Sequence, residues 1–210
     1  RLGLTSAFAG YLGNDLYGNM HHQEFLQHKV NTNCVVRDDN PTPLSTIIVK
    51  PDGKRALINY KGATTALAAN AIDFSLIKPK TILFDGHEPN ISLSLFDSIQ
   101  NASIPTVLDA GSLSEGTKKL SSKVDYLVAS EKFAIQYAGD VKTALVRLAE
   151  FSPAVVITLG EKGLIWQKAQ ETGALAAIPV NVLDTTGAGD AFHGAFAAAV
   201  AKKMEWQDIL

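Results

Sequence analysis

The segment VLDTTGAGDAFHGAFAAAVA, residues 182–201, combines two aspartates and three glycines with a run of alanines. Alanine is the strongest helix former, so AFHGAFAAAVAKK (191–203) is predicted to be a helix. The preceding VNVLD (180–184) is rich in β-branched and apolar residues and is predicted to be a final strand. TTGAG (185–189) is then the turn that starts the helix.

This predicted turn has the properties of an anion site. Glycines let the backbone NH groups at a helix start approach an anion closely, and the helix dipole adds about half a positive charge there. Asp190 places a carboxylate beside those groups. The pair suits phosphoryl transfer, in which the amides hold the phosphate and the carboxylate takes a proton from the attacking hydroxyl. The structural alternative is that Asp184 or Thr186 caps the helix and Asp190 complements its dipole.

Composition excludes several classes of partner. The chain of 210 residues is 46% hydrophobic and 19% charged, with a formal net charge of −2, and its cations are scattered, so no nucleic-acid partner is expected. No apolar run approaches the ~20 residues that span a membrane. The single cysteine, Cys34, cannot form an internal disulfide. We expect it to be a small buried hydrophobe in a reducing, cytoplasmic environment.

Short β-rich runs alternate with helical patterns, which predicts an α/β fold with a mainly parallel sheet flanked by helices. A strand at 4–13 is followed by a helix at 14–29. Later strands are predicted at 81–85, 106–110, 126–130 and 154–160, and later helices at 91–101, 114–121, 131–138 and 140–151. Ligands of such sheets bind at the carboxyl ends of the strands. Four residues are expected at that edge: Asp85, Asp109, Ser130 and Gly160.

One segment interrupts this alternation. PLSTIIVKPDGKRALINYKG (43–62) has two strand-like runs around Pro-Asp-Gly, which is a hairpin signal. No helix separates its strands, so we expect it to stand apart from the parallel sheet. It suits a flap over a site or an extra edge paired with another subunit, and both uses remain open. The domain prediction is a single α/β domain over 1–210, with this hairpin as its lid.

Four motifs, in order, resemble those of the ribokinase-like (PfkB) carbohydrate kinases. DTTGAGDAF (184–192) resembles the family's carboxyl-terminal signature, and RLGLTSAFAGYLGNDLYG (1–18) is similar to the second half of its amino-terminal signature. STIIVKPDGKR (45–55) resembles its lid hairpin, and TLGEKG (158–163) its nucleotide-phosphate loop. The resemblance implies a ribokinase-like fold with a small β lid, and dimerisation through paired lids.

The resemblance also implies roles in the DTTGAGD turn. Asp190 would be the catalytic base that deprotonates a sugar hydroxyl. The anion hole would consist of three successive backbone NH groups, those of Gly187, Ala188 and Gly189. Asp184 and Thr186 match positions that bind a monovalent cation in many members, and K⁺ is the ion expected there.

For ATP, the resemblance implies contacts from TLGEKG. Thr158, Gly160 and Gly163 match the residues that touch the phosphates, and Lys162 would add charge. Taken by itself, TLGEKG is also the pattern of a tight turn between two strands.

The family's magnesium-linked NxxE motif is replaced here by Ser130-Glu131-Lys132-Phe133. Ser130 keeps a hydroxyl for the nucleotide site, whereas Phe133 cannot hold a magnesium-bound water. Glu131 is the candidate to serve Mg²⁺ in its place.

The segment FDGHEP (84–89) stands where family members place a substrate-side polar residue. Asp85 and His87 are therefore the candidates for the sugar rim. The alternative is that Asp85 caps the following turn and His87 is solvated. His193 is expected to pack against the core. The three histidines of the first helix, His21, His22 and His28, are expected on a solvated face.

The resemblance implies an ATP-dependent sugar kinase that transfers the γ-phosphoryl group to a hydroxyl of a small carbohydrate. Ketose-type members are favoured slightly, while a nucleoside or a sugar phosphate remains open as acceptor. The main alternative is a ribokinase-like protein that binds nucleotide or sugar without turnover, as the change in NxxE would allow. An NAD-dependent oxidoreductase is disfavoured because no GxGxxG opens a βαβ unit. Family members are longer at both ends, so we expect this chain to be a fragment.

Overall fold

The computed structural model describes residues 2–49, 55–75, 77–182 and 184–210. Its contacts divide the chain into two compact units, Arg1–Ile77 and Lys78–Leu210. The prediction of a single domain over 1–210 stays a prediction.

The first unit contains two small sheets. Its elements, in chain order, are β1 (Ala7–Gly13), α1 (Leu16–Gln27), β2 (Asn31–Asp38), β3 (Leu44–Val49) and β4 (Arg55–Tyr60). β1 pairs with β2 in parallel, and Cys34 of β2 is buried, as expected. β3 and β4 form a separate antiparallel pair, with Leu44 opposite Tyr60. The hairpin is thus confirmed as a sheet of its own, while its Pro-Asp-Gly turn lies outside the described residues.

Asp15 joins the start of α1 to the segment that precedes β3. Its carboxylate caps the helix by accepting a hydrogen bond from the Gly18 NH at 2.7 Å. It also accepts from the NH and the hydroxyl of Thr42, both at 2.7 Å. The NH groups of Gly18 and Thr42 and the Thr42 hydroxyl, in that order, lower the pKa of Asp15 to about 2. The ionised form therefore stabilises this unit.

We expect Asp15→Asn to reduce the dependence of stability on acid pH. The folded-state pKa lies below the unfolded value of about 3.9, so the contribution is complete above pH ~4 and is lost as the pH falls towards 2. Urea unfolding of the unsubstituted chain and the variant between pH 2 and 6 measures this. The two chains should differ most above pH 4 and converge at pH 2. A constant difference across the range would contradict the assignment.

The second unit contains a six-stranded mixed sheet. Its strands are β5 (Ile82–Phe84), β6 (Thr106–Ala110), β7 (Tyr126–Ser130), β8 (Ala154–Thr158), β9 (Leu164–Lys168) and β10 (Glu171–Leu175). Its helices are α2 (Pro89–Ile99), α3 (Glu115–Ser121), α4 (Glu131–Ala138), α5 (Val141–Ala149), α6 (Ala188–Ala201) and α7 (Trp206–Ile209). The order is β10-β9-β8-β7-β6-β5, with β5 to β8 parallel and the last two strands antiparallel. The predicted α/β architecture is confirmed.

Helices cover both faces of this sheet because side chains alternate along each buried strand. Leu108 and Leu127 face a core that includes Phe133 of α4. Val107 and Val128 face the opposite core, which includes Phe196 of α6. By the same alternation, Asp109 lies on the face of Val107, towards α6.

The strand predicted at 180–184 is wrong for its four described residues, which adopt no regular structure. Val180 and Val182 are 71% and 58% exposed, so their β-branched side chains contact no strand surface that would hold them extended. In the described parts of the chain, no helix is both long and apolar enough to cross a membrane.

Candidate active site

The turn before α6 brings a glycine and an acidic side chain together. Gly187 is the N-cap residue, with φ of +75°, a left-handed conformation that glycine adopts without strain. A Cβ atom at this position would lie 3.7 Å from Oδ2 of Asp190, so the carboxylate is adjacent to the turn. Because the N-cap residue is a glycine, its own side chain cannot form a capping hydrogen bond. Asp190 lies in the first turn and is exposed.

Of the three predicted anion-hole amides, those of Gly187 and Gly189 are better placed than that of Ala188 to donate to a ligand. The Ala188 NH donates to the Thr185 carbonyl at 3.1 Å, inside the turn. Gly187 and Gly189 are exposed glycines on either side of it. Because NH groups in a first helical turn have no intrahelical acceptor, Gly189 in particular offers a donor to a ligand.

Asp184 and Thr186, the predicted cation ligands, lie side by side. Oδ1 of Asp184 accepts hydrogen bonds from the Thr186 NH and from its hydroxyl, both at 2.8 Å. Both residues are exposed. Their oxygens are of the kind that a K⁺ ion takes as ligands, and Asp184 also orders the turn.

The carboxyl ends of β5 and β6 place acidic residues at the same edge of the sheet. Asp85 follows β5, and its Oδ1 accepts a hydrogen bond from the His87 NH at 2.9 Å. Asp85 and His87 are exposed, so this geometry fits the turn-capping alternative and leaves both side chains open to a ligand. Asp109, the fourth residue of β6, also lies near this edge.

At this edge the pKa of the Asp109 carboxyl is raised from its usual value. Burial raises the pKa of its carboxyl, His193 opposes that rise, and the negative charges of Asp190 and Asp85 add to it. His87 also acts against the rise. The pKa of Asp109 therefore depends on residues from two other segments of the sequence, one after β5 and one in α6.

The predicted nucleotide loop lies at the ends of β7 and β8. Thr158 ends β8, Gly160 to Lys162 form a 3₁₀ turn, and Gly163 leads into β9. Nζ of Lys162 lies 3.7 Å from Oε1 of Glu131, and the two side chains are 67% and 43% exposed, so the pair contributes little stability.

Ser130 and Phe133 have structural roles at the start of α4. The Ser130 hydroxyl donates to the Gly111 carbonyl at 2.8 Å and accepts from the Phe133 NH at 3.0 Å. The Phe133 side chain is fully buried and stacks on Tyr137. It faces the core, which explains why this position holds an aromatic residue where the family motif has an acid.

The chain is similar in sequence to proteins of one known family. The model of the pfkB family carbohydrate kinases matches residues 1–210. The chain belongs to the pfkB family. It is a carbohydrate kinase, a phosphotransferase. Fructokinase-2 of Zea mays is 27% identical over 96% of this chain and 68% of its own length. The ribokinase of Lactococcus lactis is 24% identical over 96% of this chain and 68% of its own length.

Solved structures confirm the ribokinase-like fold of this pfkB protein. The Thermotoga maritima ribokinase has a TM-score of 0.83 at 22% identity, covering 97% of this chain and 70% of its own. Arabidopsis thaliana ribokinase, solved with ribose and ATP, has a TM-score of 0.80 at 21% identity, covering 98% of this chain and 72% of its own.

One residue of this pfkB chain was missed as part of the site. His193 was expected only to pack, and it is indeed buried at 3% exposure. Its ring also reaches Oδ2 of Asp109 at 3.1 Å. A sequence signal did exist: Gly189 and His193 are four residues apart, and therefore lie on the same face of the helix.

Proposed function

We propose that this protein transfers the γ-phosphoryl group of ATP to a hydroxyl of a small carbohydrate at the turn before α6. The observation that carries the proposal is the exposed Asp190 carboxylate next to the left-handed Gly187, at the amino end of an α-helix. Such a turn offers amide donors and a base within one helical turn. Fructokinase and ribokinase relatives support a small sugar as the acceptor.

In this mechanism Asp190 accepts the proton of the attacking hydroxyl. The NH groups of Gly187 and Gly189, with Ala188 once its turn bond is released, stabilise the charge on the transferring phosphoryl group. The dipole of α6 acts in the same direction. Asp85 and His87, both exposed, would orient the sugar. In a non-catalytic protein, the only role left to Asp190 would be to complement the dipole of α6.

The proposed ATP site is the edge formed by β7 and β8. The residues that would contact the nucleotide are Ser130, Thr158, Gly160, Lys162 and Gly163. Lys162 is largely exposed and can turn from Glu131 to a phosphate. The comparison with ribokinase solved with ATP supports this assignment by its fold.

Three residues are the proposed metal ligands: Glu131 for Mg²⁺, and Asp184 and Thr186 for K⁺. Mg²⁺ commonly binds through one or two carboxylates plus substrate phosphates, and Glu131 offers one exposed carboxylate at this edge. Bound there with ATP, Mg²⁺ would neutralise phosphate charge. Asp184 and Thr186 would hold K⁺, whose charge supports the anion-binding turn.

The β3–β4 hairpin is proposed to act as a lid or as the contact of a homodimer. Ile47 and Leu57 are paired across the hairpin, and Ile58 lies on its other face. All three side chains are substantially exposed, which is unusual for a free surface. Sedimentation of the purified protein separates the two uses, because only the second gives a dimer. A cytoplasmic location also stays a prediction.

The experiment that tests the function is sugar-dependent ADP release. It uses MgATP and K⁺ with a panel of ketoses, aldoses, nucleosides and sugar phosphates, and the Asp190→Asn variant as the blank. We expect ADP release with one acceptor class, absent in the blank. A protein that binds ATP but releases no ADP with any acceptor would favour the non-catalytic alternative.

A further inference from the structure

His193 lies one turn into α6 and is surrounded by hydrogen-bond acceptors. Its Nδ1 atom is 2.7 Å from the carbonyl oxygen of Gly189 and 3.1 Å from Oδ2 of Asp109. Its Nε2 atom is 3.1 Å from the carbonyl oxygen of Val128, in the central strand β7. Only 3% of the residue is exposed, so water does not replace these partners.

Each ring nitrogen of His193 faces a hydrogen-bond acceptor. A backbone carbonyl oxygen only accepts hydrogen bonds, and here one carbonyl faces each ring nitrogen. A neutral imidazole has one NH donor and one lone pair, so one of its nitrogens would face a carbonyl lone pair in the protein interior. A buried acceptor–acceptor contact of this kind is unfavourable. The doubly protonated ring satisfies both carbonyls.

A carboxyl group that can supply the counter-charge lies beside the ring. Asp109 lies on the α6 face of β6 and reaches the same Nδ1 atom. A buried cation is tolerated when it is paired and hydrogen-bonded, and His193 has both forms of compensation. Besides His193, three charged or titratable groups act on Asp109: Asp190 on α6, and Asp85 and His87 after β5.

We propose that His193 is an imidazolium which, paired with Asp109, positions the first turn of α6 for phosphoryl transfer. The proposal rests on the function proposed above for that turn. The His193 ring donates one hydrogen bond to the Gly189 carbonyl and one to the Val128 carbonyl, and so links the first turn of α6 to the sheet. The adjacent amides and the Asp190 carboxylate are thereby held in one orientation. The imidazolium also places a positive charge behind the position where phosphoryl charge accumulates.

The protonation state can be observed without turnover. In the purified protein labelled with ¹⁵N-histidine, we expect both ring nitrogens of His193 to show a directly bonded proton at pH 7. The His193→Asn variant assigns the signals by their loss. In Asp109→Asn, which keeps the shape but removes the counter-charge, we expect one ring nitrogen to lose its proton. A singly protonated His193 ring in the unsubstituted protein overturns the proposal.

The positioning role requires a kinetic test. His193→Asn and Asp109→Asn should lower kcat by about 10- to 100-fold, because small displacements of catalytic groups are costly. The KM for ATP should change far less, since the nucleotide loop is on other elements. His21→Asn, on the exposed face of α1, serves as the matched control. Circular dichroism checks that each variant is folded.

The outcomes separate the two proposals. A doubly protonated ring together with an unchanged kcat in folded His193→Asn overturns the positioning role alone. A kcat loss that is accompanied by an equal rise in the KM for ATP also overturns it, because the defect would then be in nucleotide binding. Turnover by Asp190→Asn at the normal rate would instead remove the proposed function, whatever the state of the His193 ring.

Discussion

Asp190→Asn should lower kcat by about 10²- to 10⁴-fold, which is the usual contribution of a general base. The asparagine side chain has nearly the same shape but cannot take the proton of the sugar hydroxyl. Asp190 is exposed in the first turn of α6, and its replacement removes no core contact, so the fold should be retained. ADP release under saturating MgATP and sugar measures the effect, and ATP binding by the variant confirms that its site is intact.

A matched control for Asp190 is available in the same unit. Asp208 is also an exposed aspartate in the first turn of a helix, α7, and has no proposed part in the reaction. Asp208→Asn changes the net charge by the same amount and should retain full kcat. If both variants retain full activity, Asp190 is not the base. If both lose activity equally, the loss reflects the altered charge of the protein and not proton transfer.

The order of elements in the second unit could be predicted from the sequence because its signals are local. The strands β6, β7 and β8 consist mainly of apolar residues, and the turn before α6 combines glycine with a strong helix former. The strand predicted at 180–184 failed for a non-local reason. A strand persists only when a neighbour pairs with it, and the composition of VNVLD contains no information about neighbours.

For the same reason, the sequence predicts the local part of the candidate site but not the contact between distant residues. Asp190 is recognisable because its neighbours in sequence, Gly187 and Gly189, are also its neighbours in space. Asp109 and His193 are more than eighty positions apart in the chain, and only the packing of α6 on β6 brings them together. The sequence alone therefore favours a simple packing role for His193, whereas its three acceptors become visible in three dimensions.

Gly163→Ala should destabilise the second unit by about 3 kcal/mol or more, beyond the usual cost of a strained backbone, because a steric clash adds to it. Gly163 has φ of +90° and ψ of −131°, a conformation that L-residues avoid. A Cβ atom there would overlap the backbone carbonyl oxygen of Leu175, at the end of β10, and lie 2.7 Å from the Ala177 nitrogen. Leu175 is paired with Leu164 of β9, so its carbonyl oxygen cannot move away without disturbing that pairing. Urea unfolding monitored by tryptophan fluorescence measures the loss, since Trp166 is in β9.

Gly160, three positions earlier in the same proposed ATP loop, separates the clash from the effect of positive φ. It has φ of +60°, but a Cβ atom there would meet no heavy atom within 4 Å. Gly160→Ala should therefore cost only about 1 kcal/mol, the strain of a left-handed L-residue. Because Gly163 also lies in that loop, any folded fraction of Gly163→Ala should bind ATP more weakly than Gly160→Ala does, as titration calorimetry would show. Equal stability losses in the two variants would mean that the approach of Leu175 to Gly163 does not hold this loop in place.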